Sequence, residues 1–321
     1  MKTFIFIPDT NKKAGLGHLY RCFKYSNFIN QKYEIIFLIN KNFDKTYLIK
    51  KNYQNIKIKY VFFSSITSTL NMLYLKYQNI ITFLDTYNSK IRNINFKKFS
   101  KKHINILDYK VACKADFIID HTFNRKIDYH KINIIKKISI GHQNFPVYKK
   151  VIFSDRKLIL INFGSIKSKQ LIRKSLLFLK SLNLNRSYKI IIIDNSFLMK
   201  NILDIKLKNK IIHYKFIMNI EEIYKKTFFT IGACGISLYE RCFYNIPSIS
   251  KCVAKNQNYN FKNFLTKKCI LDFNKITKLP FHKSFNNESF FKQINKVENN
   301  TKKYFDYKKN KKHLYNLFNK F

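Results

Sequence analysis

Glycine is the scarcest informative residue in this chain. Only six remain in 321 residues: Gly15, Gly17, Gly141, Gly164, Gly232 and Gly235. Ordinary usage of roughly 7% would give about 22. A sequence this poor in glycine keeps it mainly where φ must be positive or where a backbone must come close to something. Five of the six lie where a strand-like apolar run passes into a helix-like run. Residues 3–8 read as a buried strand, the loop through Gly15 and Gly17 follows, and residues 18–30 have helical apolar spacing. Residues 158–162 read as a second such strand, with Phe163-Gly164-Ser165 as its turn and a helix over 167–182. Residues 227–231 read as a third, with the turn Gly232-Ala-Cys-Gly235 and a helix over 235–244. Strand, glycine turn and helix N-terminus together present bare N–H groups to an anion. No Walker loop occurs, and Tyr20 stands where a complete GxGxxG would have its third glycine.

The alternation extends along the whole chain. Strands are expected near 3–8, 34–40, 56–62, 80–84, 103–107, 116–120 and 137–141. After a polar connection at 148–157 they resume near 158–162, 188–193, 210–213, 227–231, 248–252 and 268–272. Helices are expected near 18–30, 43–52, 66–77, 91–101, 167–182, 219–226, 235–244 and 258–266, and the tail from about 285 reads as helical. Repeated βα units imply parallel sheets covered on both faces. The expected class is α/β: two Rossmann-like, doubly wound domains, 1–150 and 151–321, facing a central cleft at the carboxyl ends of their strands.

Charge needs care. Lys and Arg number 62 against 18 Asp and Glu, a net +44. Such a balance ordinarily suggests nucleic acid or an anionic membrane. Here Lys, Asn, Ile, Tyr and Phe are all enriched together, the mark of AT-rich codons, and the lysines are spread from end to end. No basic stripe with interleaved aromatics stands out, so no specific nucleic-acid partner is expected; weak association with an anionic membrane surface stays open. The longest apolar runs fall far short of the ~20 residues that span a bilayer. No signal-peptide pattern opens the chain, which suggests a cytoplasmic location. Cys22, Cys113, Cys234, Cys242, Cys252 and Cys269 show no CxxC pair, so free thiols and no metal site are expected.

The chemistry-bearing candidates cluster at the junctions. In Gly15-Leu-Gly17-His18-Leu-Tyr-Arg21-Cys22, His18 falls in the first turn of a helix. The dipole there disfavours imidazolium, which suits a general base. Arg21, three residues on, could steady His18 or a phosphate. Asp85 and Tyr87 close a strand, where ligands bind in such folds; Asp85 could also simply cap a turn. Gly164 and Ser165 open the second half. Gly235, Ser237 and Glu240 follow, and Ser237 and Glu240 have capping-box spacing. The other reading has the Gly235–Ser237 amides and the Ser237 hydroxyl on a diphosphate, with Glu240 on ribose. Asn256 and Gln257 are adjacent amides suited to a polyhydroxylated or N-acylated ligand.

Taken in order, these segments resemble the PseG family, nucleotide-sugar hydrolases of pseudaminic acid biosynthesis related to GT-B glycosyltransferases such as MurG. The segments are G-x-G-H-x-x-R-C, D-x-Y, N-F-G-S, G-A-x-G-x-S-x-x-E, I-P-S and N-Q. The resemblance covers about residues 3–260. It implies that His18 activates water for inverting attack on the anomeric C1 of a UDP-linked 2,4-diacetamido-2,4,6-trideoxyhexose, with no cofactor or metal. It also implies that Gly17 and Arg21 shape the site around that base and that Asp85 and Tyr87 line the sugar side. Gly235, Ser237 and Glu240 would hold UDP, with Asn256 and Gln257 near sugar or phosphate. The family's F-G-G-S-D is here Phe163-Gly164-Ser165-Ile166-Lys167, its double Asp is Asp108-Tyr109, and its L-R pair after Gly141 is replaced by His142-Gln-Asn-Phe145. Two other readings compete. One is a GT-B glycosyltransferase using a UDP-sugar donor; the other is a basic, non-enzymatic binding protein on the same fold.

Overall fold

The computed structural model describes the chain except for residues 1, 12–15, 49–51, 54–55, 109–110, 112, 128, 130–134, 148–149, 165–167, 196–203, 218 and 279–286. It divides into two compact units, Met1–Tyr148 with Lys308–Phe321, and Lys149–Tyr307.

The first unit runs β1 (Thr3–Pro8), α1 (Gly17–Ser26), β2 (Glu34–Asn40), β3 (Asn52–Tyr53), β4 (Ile56–Phe63), α2 (Ile66–Lys76), β5 (Ile80–Asp85), α3 (Ser89–Arg92), β6 (Lys102–Leu107), β7 (Ala115–Asp120) and β8 (Ile135–Ile140). Its sheet has the order β3-β4-β2-β1-β5-β6-β7-β8. Every pairing is parallel except the short edge contact of β3 with β4. Strands covered on both faces need continuous apolar runs. β1 supplies one, with all six residues buried. Its Phe6 ring stacks between Phe37 of β2 at 5.0 Å and Phe83 of β5 at 4.8 Å.

The second unit runs β9 (Leu158–Asn162), α4 (Lys169–Ser181), β10 (Lys189–Ile193), β11 (Ile211–Tyr214), α5 (Ile220–Tyr224), β12 (Thr227–Ala233), α6 (Ile236–Phe243), β13 (Ser248–Lys251), α7 (Asn258–Thr266), β14 (Leu271–Asp272), α8 (Phe273–Ile276) and α9 (Asn287–Tyr304). Its parallel sheet has the order β11-β10-β9-β12-β13-β14. Both sheets are thus Rossmann-like and doubly wound. Each reverses its strand order once, between β1 and β5 in the first unit and between β9 and β12 in the second. Such switch points open a crevice at the strands' carboxyl ends, where ligands bind.

Two expected helices are cut short. Among the described residues of 43–52, which exclude 49–51, there is one 3-10 turn, Lys45–Tyr47, whose entry Asp44 caps by accepting from the Thr46 amide at 2.9 Å. Over 91–101 there are only α3 and a turn at Phe96–Lys98, separated by residues 93–95, where Asn95 leaves the helical backbone. The tail also differs from its expected place with the second half. Its last helix, α10 (Tyr307–Phe318), belongs almost wholly to the first unit. Phe318 stacks on Phe83 at 5.4 Å, Phe321 meets Phe117 at 5.1 Å, and Asn310 Nδ2 donates to the carbonyls of Gln143 and Phe145. Apolar burial on the first sheet explains the attachment.

Candidate functional site

In the first unit the polar residues gather at the switch point. β1 and β5 run side by side, with Pro8 opposite Asp85. Just beyond, the Asp9 amide donates to the Asp85 carbonyl at 2.7 Å. The Asp9 carboxylate accepts from the Thr86 hydroxyl at 2.7 Å and the Tyr87 amide at 3.2 Å. These bonds fix the direction in which the Asp85 side chain leaves its strand. On the other side of the crevice α1 opens at Gly17, and no side chain caps its first turn.

His18 and Arg21 both reach Asp85. His18 Nδ1 lies 2.5 Å from Asp85 Oδ1. Arg21 binds the same carboxylate with both arms of its fork, Nε to Oδ2 at 2.7 Å and Nη2 to Oδ1 at 2.5 Å. All three residues are buried, at 3%, 1% and 1% exposure for His18, Arg21 and Asp85. Burial by itself would raise the Asp85 carboxyl; the Arg21 guanidinium, followed by His18, outweighs it and holds the group well below the usual carboxylate range. An ionised Asp85 requires the proton of a neutral His18 to sit on Nδ1. Nε2 is then the atom able to accept a proton.

Arg21 also ties in a further layer. Its Nη1 donates to Asp108 Oδ2 at 3.0 Å and reaches His121 Nε2 at 3.2 Å. Burial, and then Arg21, push His121 down to about 3, so its ring is neutral and accepts from Arg21. Tyr87 donates its hydroxyl to Asp108 at 2.9 Å and sets its ring edge-on to His18, with centroids 4.4 Å apart. Burial and the Asp108 charge push the Tyr87 phenol far up, which keeps it a donor.

Two expected roles change accordingly. Arg21 is neither solvated nor available to a phosphate, because its donors are taken by Asp85, Asp108 and His121. Asp85 turns both oxygens to His18 and Arg21 rather than to a sugar, and it does not cap a turn. Asp9, Asp108 and His121 are additional members of the site. Each stands just past the carboxyl end of a parallel strand; for Asp9 and His121 that position was the only sequence signal, while Asp108 also stands where the resemblance has its double Asp.

In the second unit, Gly164 stands past β9 with φ of +78°, and its amide donates to Asn162 Oδ1 at 2.8 Å. A side chain there would be strained. Ser165 lies outside the described residues. Gly232 answers a different need: a Cβ there would stand 2.1 Å from the Asn162 carbonyl oxygen, so glycine lets β12 pass the end of β9. Gly235 is the N-cap of α6, and no side chain caps that helix. The capping box of Ser237 and Glu240 therefore does not form, since Ser237 already lies inside the first turn. Glu240 is buried and accepts from the Tyr224 hydroxyl at 3.2 Å. Gln257 comes against Gly235, its Nε2 standing 3.4 Å from where a Cβ would be, and its Oε1 accepts from the Val253 amide at 3.1 Å. Asn256 is exposed on the same 3-10 turn, Lys255–Gln257.

All six cysteines are free. Among the described residues no group of three or more His, Cys, Asp or Glu is arranged to hold a metal ion. No helix among them is long and apolar enough to cross a membrane.

No protein-family model and no curated protein matches this chain. Solved structures do. MurG from Acinetobacter baumannii aligns over 100% of this chain and 99% of its own, at 14% identity and a TM-score of 0.63. Phytolacca americana UGT2, solved with UDP-2-fluoroglucose and pterostilbene, aligns over 100% and 99%, at 10% identity and a TM-score of 0.64. The Streptomyces sp. SF2575 glycosyltransferase SsfS6, solved with thymidine diphosphate, aligns over 100% of both chains, at 8% identity and a TM-score of 0.59. Identities this low establish the fold: two Rossmann-like α/β units of the GT-B type.

Proposed function

We propose that this protein is an enzyme acting on a UDP-sugar, with His18 as general base and water as the nucleophile. The observation that carries this reading is the His18–Asp85 pair at the first sheet's switch point. Water gives a proton to His18 Nε2 as its oxygen bonds to the anomeric C1. The C1–O bond to the diphosphate breaks, UDP leaves with the bonding electrons, and the configuration at C1 inverts. Asp85, kept ionised by Arg21, stabilises the imidazolium that forms. Tyr87 and Asp108 hold the ring and the guanidinium in place.

The second unit supplies the nucleotide side in this reading. Gly235 and Ser237 offer the uncapped first turn of α6 to the diphosphate. Gly164 contributes from the neighbouring strand end, and Gln257 and Asn256 from beside Gly235. Glu240, with Tyr224 already on one oxygen, has less to give to ribose than its motif suggests. The order of motifs supports a UDP-2,4-diacetamido-2,4,6-trideoxyhexose as substrate, and so a step in nonulosonate formation.

A glycosyltransferase is the second reading, favoured by the similarity to MurG and to plant and Streptomyces transferases. The same base would then deprotonate an acceptor hydroxyl. UDP release from UDP-sugars, followed with and without acceptors and with EDTA present, separates the two. Release without any acceptor supports the hydrolase; release that requires an acceptor supports the transferase. No release from any UDP-sugar overturns both.

A further inference from the structure

Two arginines in this chain are equally buried but differently matched. Arg21 and Arg241 are each 1% exposed. Both lie on the helix that follows a glycine turn, and each directly precedes a buried cysteine, Cys22 or Cys242. Arg21 is compensated by Asp85 and Asp108. Among the described residues Arg241 has a single hydrogen bond, from Nη2 to the Ala233 carbonyl at 2.8 Å, and its Nε has no partner there. Every Asp and Glu of residues 149–307 is among the described residues, and none of them forms an ion pair with Arg241. The neighbouring Glu240 accepts from Tyr224. Glu240 and Glu221 share its surroundings at Tyr224, but neither pairs with the guanidinium, and a buried cation without a paired counter-charge is destabilising.

The location suggests what supplies the counter-charge. Arg241 Nη1 stands 3.2 Å from where a Cβ on Gly232 would be. Its Nη2 holds the carbonyl of the next residue, Ala233. The guanidinium therefore lies at the base of the turn that leads into Gly235 and the uncapped start of α6. A positive buried side chain and a positive helix end converge on one short stretch of backbone.

We propose that Arg241 is the charge-selecting residue of this turn, a built-in counter-charge for a diphosphate bound at residues 232–237, acting through the turn's backbone. The inference rests on the proposed assignment of the nucleotide to this turn. It adds that binding strength there depends on the ligand's charge. Arg241 thus favours a diphosphate over a monophosphate or a neutral nucleoside.

Calorimetry on the full chain at constant ionic strength tests this with inorganic pyrophosphate, UDP, UMP and uridine. Arg241→Gln should weaken pyrophosphate and UDP about ten-fold, UMP less, and leave uridine unchanged. Without ligand it should melt no lower than wild type, because an uncompensated charge has been removed. Arg241→Lys should restore most of the discrimination. Equal losses for all four ligands, a Gln variant that melts lower without ligand, or one that fails to fold, would overturn the proposal. Arg241-dependent pyrophosphate binding without turnover of any UDP-sugar would leave this inference standing and remove the proposed function. Turnover with pyrophosphate binding indifferent to Arg241→Gln would do the reverse.

Discussion

His18 Nδ1 and Asp85 Oδ1 stand 2.5 Å apart, although 67 residues separate them in the chain. One comes from the first turn of α1 and the other from the end of β5, on the two sides of the strand-order reversal. The buried Arg21 fork behind Asp85 keeps that carboxylate ionised. An imidazole, the carboxylate that orients it and the guanidinium that keeps that carboxylate ionised are assembled together. In the proposed reaction this preorganised imidazole is the base.

Asp85→Asn should damage both stability and turnover. The amide leaves the Arg21 guanidinium buried with only Asp108, a loss of about 3–5 kcal/mol by the measure of broken buried pairs. It also removes the carboxylate that holds the His18 ring by Nδ1, so kcat should fall as well. Denaturant titration and a kcat measurement check both parts. In the wild type the depressed Asp85 group contributes stability fully above its unfolded value of about 3.9. That contribution is lost only as pH falls through the still lower folded value.

Acid should weaken the fold through two histidines well before the carboxylates protonate. Burial pushes His103 down to about 3, and burial with Arg21 does the same for His121. Unfolding restores both to about 6.5, so the unfolded chain binds more protons below that pH, and stability falls as pH drops from 6.5 toward 3. Two protons correspond to about 2–3 kcal/mol per pH unit between pH 6 and 5. His103→Asn should roughly halve that slope. Stability that stays flat over this interval would contradict the burial of these rings.

Gly232 and Gly235 should respond differently to alanine. At Gly232 the new Cβ would meet the backbone oxygen of Asn162 at 2.1 Å, an obstacle that cannot swing away. At Gly235 it would meet only the flexible end of Gln257 at 3.4 Å, with φ at −92°. Gly232→Ala should cost about 1–3 kcal/mol or more, and Gly235→Ala should be close to neutral. Thermal melts of the two variants decide the matter; equal losses would contradict the close approach of β12 to β9.

The sheets were legible in the sequence because strands buried on both faces read as unbroken apolar runs, as in residues 3–8 and 158–162. Helices at the surface were harder. Residues 43–52 and 91–101 carry a plausible apolar period, yet the turn that Asp44 opens stops at the extended Leu48, and the second run divides at residues 93–95. His18 and Asp85 could be picked out as residues at strand and helix ends. Their partnership could not, because it depends on the register that sets Pro8 opposite Asp85. Asp108 and His121 carry no spacing signal, since they meet Arg21 only once β5, β6 and β7 lie side by side. The attachment of α10 to the first unit was hidden for the same reason, its apolar face being generic until Phe83 and Phe117 define the surface it covers.

His18→Gln, assayed for UDP release from a UDP-sugar that the wild type turns over, tests the central claim most directly. The variant should bind UDP as wild type does, since the residues proposed to hold the nucleotide lie on the second unit, while kcat falls by about 10²–10⁴-fold. Turnover near the wild-type rate, with UDP binding intact, would show that the imidazole held by Asp85 is not the base.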